Sequence, residues 1–244
     1  MRDYYDNQPV ILEADGDGVN RYVAKVFGWM FLGLLVTALS TFAIVAGIGI
    51  SDAFAAAIAT LSQWILIIFL VQVLMVGYLA ARVEKMSTSK ATLLYLLYAI
   101  VNGFTFGLVA LLYAGSADML VTAFAITAVS FGIMAVYGFT TKQDLTRAGN
   151  LLRMGLIGII ILSVVNIFLG SGPLDFLICI VGLFIFMGLT AHHTHRIKNH
   201  YAQVSLSGDV RLANNLAIIG ALMLYLSFIN LFMFILRLLT GGRR

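Results

Sequence analysis

The chain reads as long apolar stretches separated by short polar ones. A membrane-spanning helix needs about 20 predominantly apolar residues, and seven uncharged runs are of that order: residues 26–50, 53–81, 91–113, 119–141, 154–170, 176–191 and 212–236. The sixth reaches full length only with Pro173 at its start and the histidines at its end. The pattern predicts an all-α integral membrane protein with a seven-helix transmembrane domain over 21–240. An acidic tail over 1–20 and a short basic tail over 241–244 flank it.

Two segments near the end, 173–195 and 212–239, hold the polar groups that are hardest to place in lipid. The first closes on Ala-His-His-Thr-His-Arg-Ile-Lys, which puts His192, His193, His195, Arg196 and Lys198 at its polar boundary. In the second, Gly220, Ser227, Asn230, Phe234 and Arg237 follow one another at helical steps, so they form a stripe on one helix face. Lipid rejects such a stripe, and it is expected to face other helices or water.

Composition narrows the class further. With 61% hydrophobic and 11% charged residues, the chain has less than half the roughly 25% charge of a soluble domain. Little but short loops remains outside the apolar runs, which leaves no room for a soluble catalytic module. Cys179 is the one cysteine, so neither an intrachain disulfide nor a thiolate metal cluster is available. The first 20 residues carry Asp3, Asp6, Glu13, Asp15 and Asp17 against Arg2, the wrong charge for a signal peptide, and the first apolar run is read as a retained helix. Basic residues are spread over several loops and form no nucleic-acid footprint.

Their distribution predicts orientation. Arg21 and Lys25, then Arg82, Lys85 and Lys90, then Lys142, Arg147 and Arg153, then Arg196, Lys198 and Arg211 all fall at alternate loops, whereas the loops near Ser51, Gly115 and Ser171 carry only Asp52, Asp118 and Asp175. Loops retained in the cytoplasm are enriched in Lys and Arg, so the amino terminus is expected inside. Arg237, Arg243 and Arg244 then lie on the opposite side. Either the last segment crosses against that local signal, the favoured reading, or it enters and returns.

Within the spans, Gln63, Gln72, Asn102, Thr105, Ser163, Asn166, Ser227 and Asn230 read first as interhelical glue. Gly103 and Gly107, four apart, suit close helix packing. Asp15-Gly-Asp-Gly18 imitates the start of a calcium loop but lacks the later ligands. No His-Glu-x-x-His, no Gly-x-Ser-x-Gly and no aspartate pair within the spans occurs, so an enzyme is not expected and no cofactor is implied. His192 and His195 share a helix face and are the candidate metal ligands. Against that stand a titrating role for one of the histidines and a plain headgroup boundary. Arg82 ends its span either as an arginine reaching the membrane surface or as a gate paired with the sixth or seventh helix.

Several motifs together resemble a known family. Thr140-Thr-Lys-Gln-Asp-Leu145, Gly149, the run from Gly155-Leu-Ile-Gly158 through Ser163, Asn166-Ile-Phe168 and Ala221-Leu-Met-Leu-Tyr-Leu-Ser-Phe-Ile-Asn-Leu-Phe232 look like the bacterial branch of the Bax inhibitor-1 family. The resemblance implies six helices around a central last one. It also implies pH-sensitive calcium leak in some members and regulation of membrane proteolysis or cell death in others. In the family a pair of aspartates on the last two helices senses protons and can pair with a basic residue on the second. Here His193 stands at the first aspartate position, Ser227 at the second, Arg82 matches the basic partner, and Gln72 stands where many relatives carry a carboxylate.

The departure changes the expected chemistry. Without a carboxylate, calcium keeps only amide and hydroxyl oxygens along the stripe. The first expectation is therefore a closed or slowly leaking cation path in a bacterial inner membrane. His193, Ser227 and Arg82 would form its gate, and Asn230, Gln72, Gly220 and Arg237 its polar lining. The alternative is a non-transporting regulator that binds a membrane protease or other membrane complex. Expected partners are thus the lipid bilayer, calcium or another cation, and a membrane protease, with no nucleic acid.

Overall fold

The computed structural model describes residues 16–112, 117–207 and 209–241, and all of its regular elements are helices. They are α1 (Gly16–Ile50), α2 (Asp52–Ser62), α3 (Ile65–Arg82), α4 (Thr88–Leu112), α5 (Ala117–Thr140), α6 (Thr146–Leu169), α7 (Gly172–Ser207) and α8 (Val210–Gly241). Seven of them, all but α2, are long and apolar enough to cross a membrane. Helix is the solution such runs require, because a chain in hydrocarbon must satisfy its own backbone groups.

The second apolar run, 53–81, does not form one helix. It breaks at Gln63 and Trp64, whose amides donate to Thr60 and Leu61 carbonyls three residues back, and only α3 is span-length. A 29-residue run is longer than the bilayer needs, so α2 is left over as a short helix. Ser51 caps it by accepting from the Phe54 amide at 3.3 Å. Gln63 accordingly lies in a turn rather than inside a span. Other boundaries follow ordinary signals: Gly170, at φ 60°, ends α6 in the left-handed conformation, and Pro173 sits in the first turn of α7, where its missing N–H costs nothing.

Two terminal expectations are adjusted. Residues 16–20 belong to α1 instead of an acidic tail, and Gly16, Asp17 and Gly18 are helical, which rules out a calcium loop there. The rest of the acidic tail, residues 1–15, lies outside the described residues, as does 242–244 of the basic tail. The last apolar segment is one unbroken helix of 32 residues, roughly 48 Å long at 1.5 Å per residue. A segment that enters and returns needs a break, and α8 has none.

Packing grades the helices from inside to outside. About 67% of the apolar stretch of α8 is buried, against 44% for α7 and 6% for α6. α8 packs on α1, α4, α5 and α7, whereas α6 leans chiefly on α7 and α3 chiefly on α4. Ala217, Ile218, Ala221, Leu222, Leu224, Tyr225 and Leu231 of α8 are almost wholly enclosed. Helices come close where side chains are small. A Cβ on Gly138 would strike the backbone of Ala191, so glycine is required where α5 crosses α7. Gly103 packs on Ser40 and Gly107 on Ile44, as their spacing predicts for an α4 face pressed onto α1.

Candidate functional site

The antiparallel pair α7 and α8 brings together two residues 34 positions apart. His193 Nδ1 lies 3.2 Å from Ser227 Oγ. Ser227 is buried and its hydroxyl also lies 3.1 Å from the Met223 carbonyl one turn back on α8. A serine has one proton, so when it is donated to Met223 the histidine must supply the hydrogen on Nδ1. Among the described residues, the charged or titratable groups that act on His193 are His192 and Arg196 on its own helix and Arg153 on α6. None is a carboxylate.

His192 faces the other way, toward α6. Arg153 donates to its Nε2 at 3.1 Å, and its Nδ1 lies 3.1 Å from the Leu145 carbonyl. A guanidinium can only donate, so Nε2 accepts and Nδ1 carries the proton. This fixes one neutral tautomer and uses both ring nitrogens. The ring lies flat against α6 at Gly149, where any Cβ would overlap it. That contact gives Gly149 its physical role.

His195 accepts at Nε2 from Asn199, 3.0 Å away, while its Nδ1 is buried without a hydrogen-bond partner among the described residues. Metal ligation by His192 and His195 does not fit this arrangement: His192 has no free lone pair. Among the described residues no group of three or more His, Cys, Asp or Glu converges. Lys198 reaches back to α5, donating to the Phe139 carbonyl at 2.9 Å with its ammonium 5.4 Å from the ring centre. In the loop before α6, Asp144 accepts from the Thr146 amide at 2.9 Å. Hydrogen bonding to Thr146 holds its carboxyl below the usual range.

The remaining predicted residues are dispersed. Arg82 is exposed at the end of α3, which packs chiefly on α4, and no hydrogen bond joins it to His193 or Ser227 among the described residues. Gln72 is buried and donates to Thr105 at 3.1 Å, fastening α3 to α4 as glue. Along the α8 stripe, Gly220 is buried against Ile197 and Val26. Asn230 turns its amide to the Leu226 carbonyl at 2.7 Å, and Arg237 donates to Asp175 at 2.8 Å on the α7 end of the same seam. The upper part of the stripe is packed protein and its last residue is a half-exposed ion pair.

Sequence reasoning missed a second polar cluster. Asn102 donates to the Tyr225 hydroxyl at 2.7 Å, and Thr37 lies 2.6 Å from the same oxygen while also bonding the Ala99 carbonyl at 3.0 Å. These groups join α1, α4 and α8. The signal was present, since a tyrosine in a buried run needs a partner for its hydroxyl. A third set holds the turn between α3 and α4: Asn215 donates to the Val83 and Met86 carbonyls, both at 2.8 Å, and Arg211 donates to the Glu84 backbone carbonyl at 2.8 Å. Nearby, Lys25 of α1 bonds Asn214 of α8 at 2.5 Å.

A family model described as inhibitor of apoptosis-promoting Bax1 matches residues 19–244. The chain belongs to the Bax inhibitor-1 family. Within it, the chain is 38% identical over 231 residues to inner membrane protein YbhL of Escherichia coli K12, covering 93% of this chain and 94% of that one. It is 40% identical over 225 residues to an uncharacterized protein of Borreliella burgdorferi, with 92% and 93% covered. It is also 33% identical over 237 residues to YrjE of Lactococcus lactis, with 96% and 97% covered. Family membership and the seven apolar helices together make this Bax inhibitor-1 member a multi-pass membrane protein in contact with the bilayer.

Proposed function

We propose that this protein is a closed, acid-opened cation leak of a bacterial inner membrane, with its basic loops and amino terminus in the cytoplasm and the α7–α8 seam as its gate. The single observation that carries the reading is the 3.2 Å contact between His193 and Ser227. It occupies the two positions at which the family resemblance places a proton-sensing pair. A proton added to His193 puts positive charge beside Arg153 and Arg196 with no carboxylate to offset it, which favours separation of α7 from α8. Arg82 plays no part in this gate. The seam offers a cation hydroxyl, amide and carbonyl oxygens only, so strong preference for calcium is not expected.

The test is ion flux into liposomes holding the purified protein, from neutral to acidic pH. Wild type should pass a monovalent cation in acid, and His193→Asn should abolish the pH dependence while leaving the fold intact. The double change His193→Asp with Ser227→Asp should add calcium flux. An unchanged pH profile in His193→Asn would overturn the gate.

A second reading has its own support. Gln72, Asn102, Ser227 and Asn230 all spend their polar groups on partners inside the bundle, as in a packed scaffold that regulates a membrane protease or other membrane complex. That reading expects no flux at any pH, and loss of regulation when the acidic residues 2–18 are deleted.

A further inference from the structure

On the side of the bundle away from the histidines, α1 and α5 part. They meet where the Phe27 and Phe131 rings lie 6.4 Å apart. Beyond that contact lies a cavity of about 490 Å³ between α1, α4, α5 and α8. Its floor is Phe228 and Phe232 of α8, and its walls include Ala38 and Thr41 of α1, Ala110 of α4 and Phe124 of α5. Phe228 and Phe232 are buried while Phe124 and Ala38 are exposed, so the cavity is a cleft that opens sideways.

What can fill it follows from its lining. The two threonines bring the only side-chain hydroxyls, and both are committed: Thr37 to the Ala99 carbonyl and Tyr225, Thr41 to the Gly103 carbonyl at 3.0 Å. A polar ligand would therefore lose its hydration without finding a partner, whereas hydrocarbon would not. The mouth is continuous with the apolar belt that meets the bilayer, which makes acyl chains the medium around it. Its length also matches. From Leu34 to Val45 on α1 the cleft runs roughly 16 Å at 1.5 Å per residue, close to half of a hydrocarbon core about 30 Å thick. One leaflet's acyl chain spans that distance.

We propose that this cleft is a binding site for one acyl chain of a bilayer phospholipid, entering from the leaflet on the side of the α1–α2 turn. The chain would complete the core between α1 and α5 and keep water from Thr37 and hence from the Tyr225 hydroxyl. This inference is independent of the leak reading and needs no flux to be tested.

The experiment uses the full-length protein in liposomes doped with a phospholipid that carries a photoactivatable diazirine in its acyl chain, with labelled peptides mapped by mass spectrometry. Labelling is expected at the cleft wall around Ala110 and at the lipid-facing Leu70 of α3. Filling the cleft by Ala38→Trp, or separately by Ala110→Phe, should cut labelling of the remaining cleft wall at least fivefold and leave Leu70 unchanged. The preserved Leu70 signal reports that the variant is still inserted in the bilayer. A companion measurement follows thermal unfolding of delipidated protein: added phospholipid should raise Tm in wild type and much less in the filled variants. Labelling confined to the outer belt, or equal wall labelling in wild type and both filled variants, overturns the site. So does protection of the whole cleft through contact with a second copy of the chain.

Discussion

Two of the buried polar clusters in the bundle differ in one property. The cluster of Thr37, Asn102 and Tyr225 ties α1, α4 and α8 through a hydroxyl, an amide and a phenol. The cluster of His192, His193 and Ser227, with Arg153 beside it, ties α6, α7 and α8 through two imidazoles and a guanidinium. Both satisfy their groups with partners on other helices. Only the second contains imidazoles, side chains able to take up a proton. Polar burial gives fixed attachment in the first cluster, and under the proposed gate it gives conditional attachment in the second.

The largest expected effect separates attachment from switching. Tyr225→Ala removes a fully enclosed ring and leaves the Asn102 amide without its acceptor, and it should cost about 3–5 kcal/mol, the range for large-to-small changes at buried aromatics. The loss in thermal unfolding should be the same at neutral and mildly acidic pH, because nothing in that cluster titrates there. A pH-dependent loss would erase the contrast. Gly149→Leu should come next. It forces the His192 ring off α6, costs about 1–3 kcal/mol through overpacking, and breaks the Arg153 contact. The imidazole nitrogen shifts of His192 in labelled protein should then lose the fixed Nδ1–H pattern.

A gentler change sharpens the same point. Arg153→Gln keeps much of the bulk and an N–H donor but removes the charge facing His192 and His193. Stability should fall by about 1 kcal/mol, as expected for one partly exposed charge-assisted hydrogen bond, while the acid threshold of any flux moves toward higher pH because one opposing cation is gone. A threshold moved the other way would contradict the repulsion account. The smallest effect belongs to Asp144. Its carboxyl is held below the usual range by Thr146, so its contribution is complete above the unfolded carboxylate value near about pH 4 and fades as pH falls through the lowered folded value. Asp144→Asn should therefore change acid unfolding only at the low end and leave flux between about pH 5 and 7 untouched.

The spans were legible because an apolar run of membrane length has few alternatives. The break at Gln63 was not, since neither residue of the Gln63-Trp64 turn is a glycine or proline and the run is apolar on both sides. The meeting of His193 with Ser227 followed from the family motif rather than from spacing. Arg82 failed as their partner because its span docks on α4, at the edge of the bundle, a fact no local pattern encodes. The Arg153–His192 contact was hidden for a similar reason. An arginine at a span boundary reads as a surface charge until Gly149 is seen to open room for an imidazole beside it.

The most direct test of the gate is the accessibility of its own buried position. A cysteine placed at Ser227 in a Cys179→Ser background should be protected from a membrane-impermeant thiol reagent at neutral pH and become reactive in acid, and His193→Asn should remove the acid response. Reaction at neutral pH, or protection at every pH while the protein remains folded, would contradict a seam that acid opens.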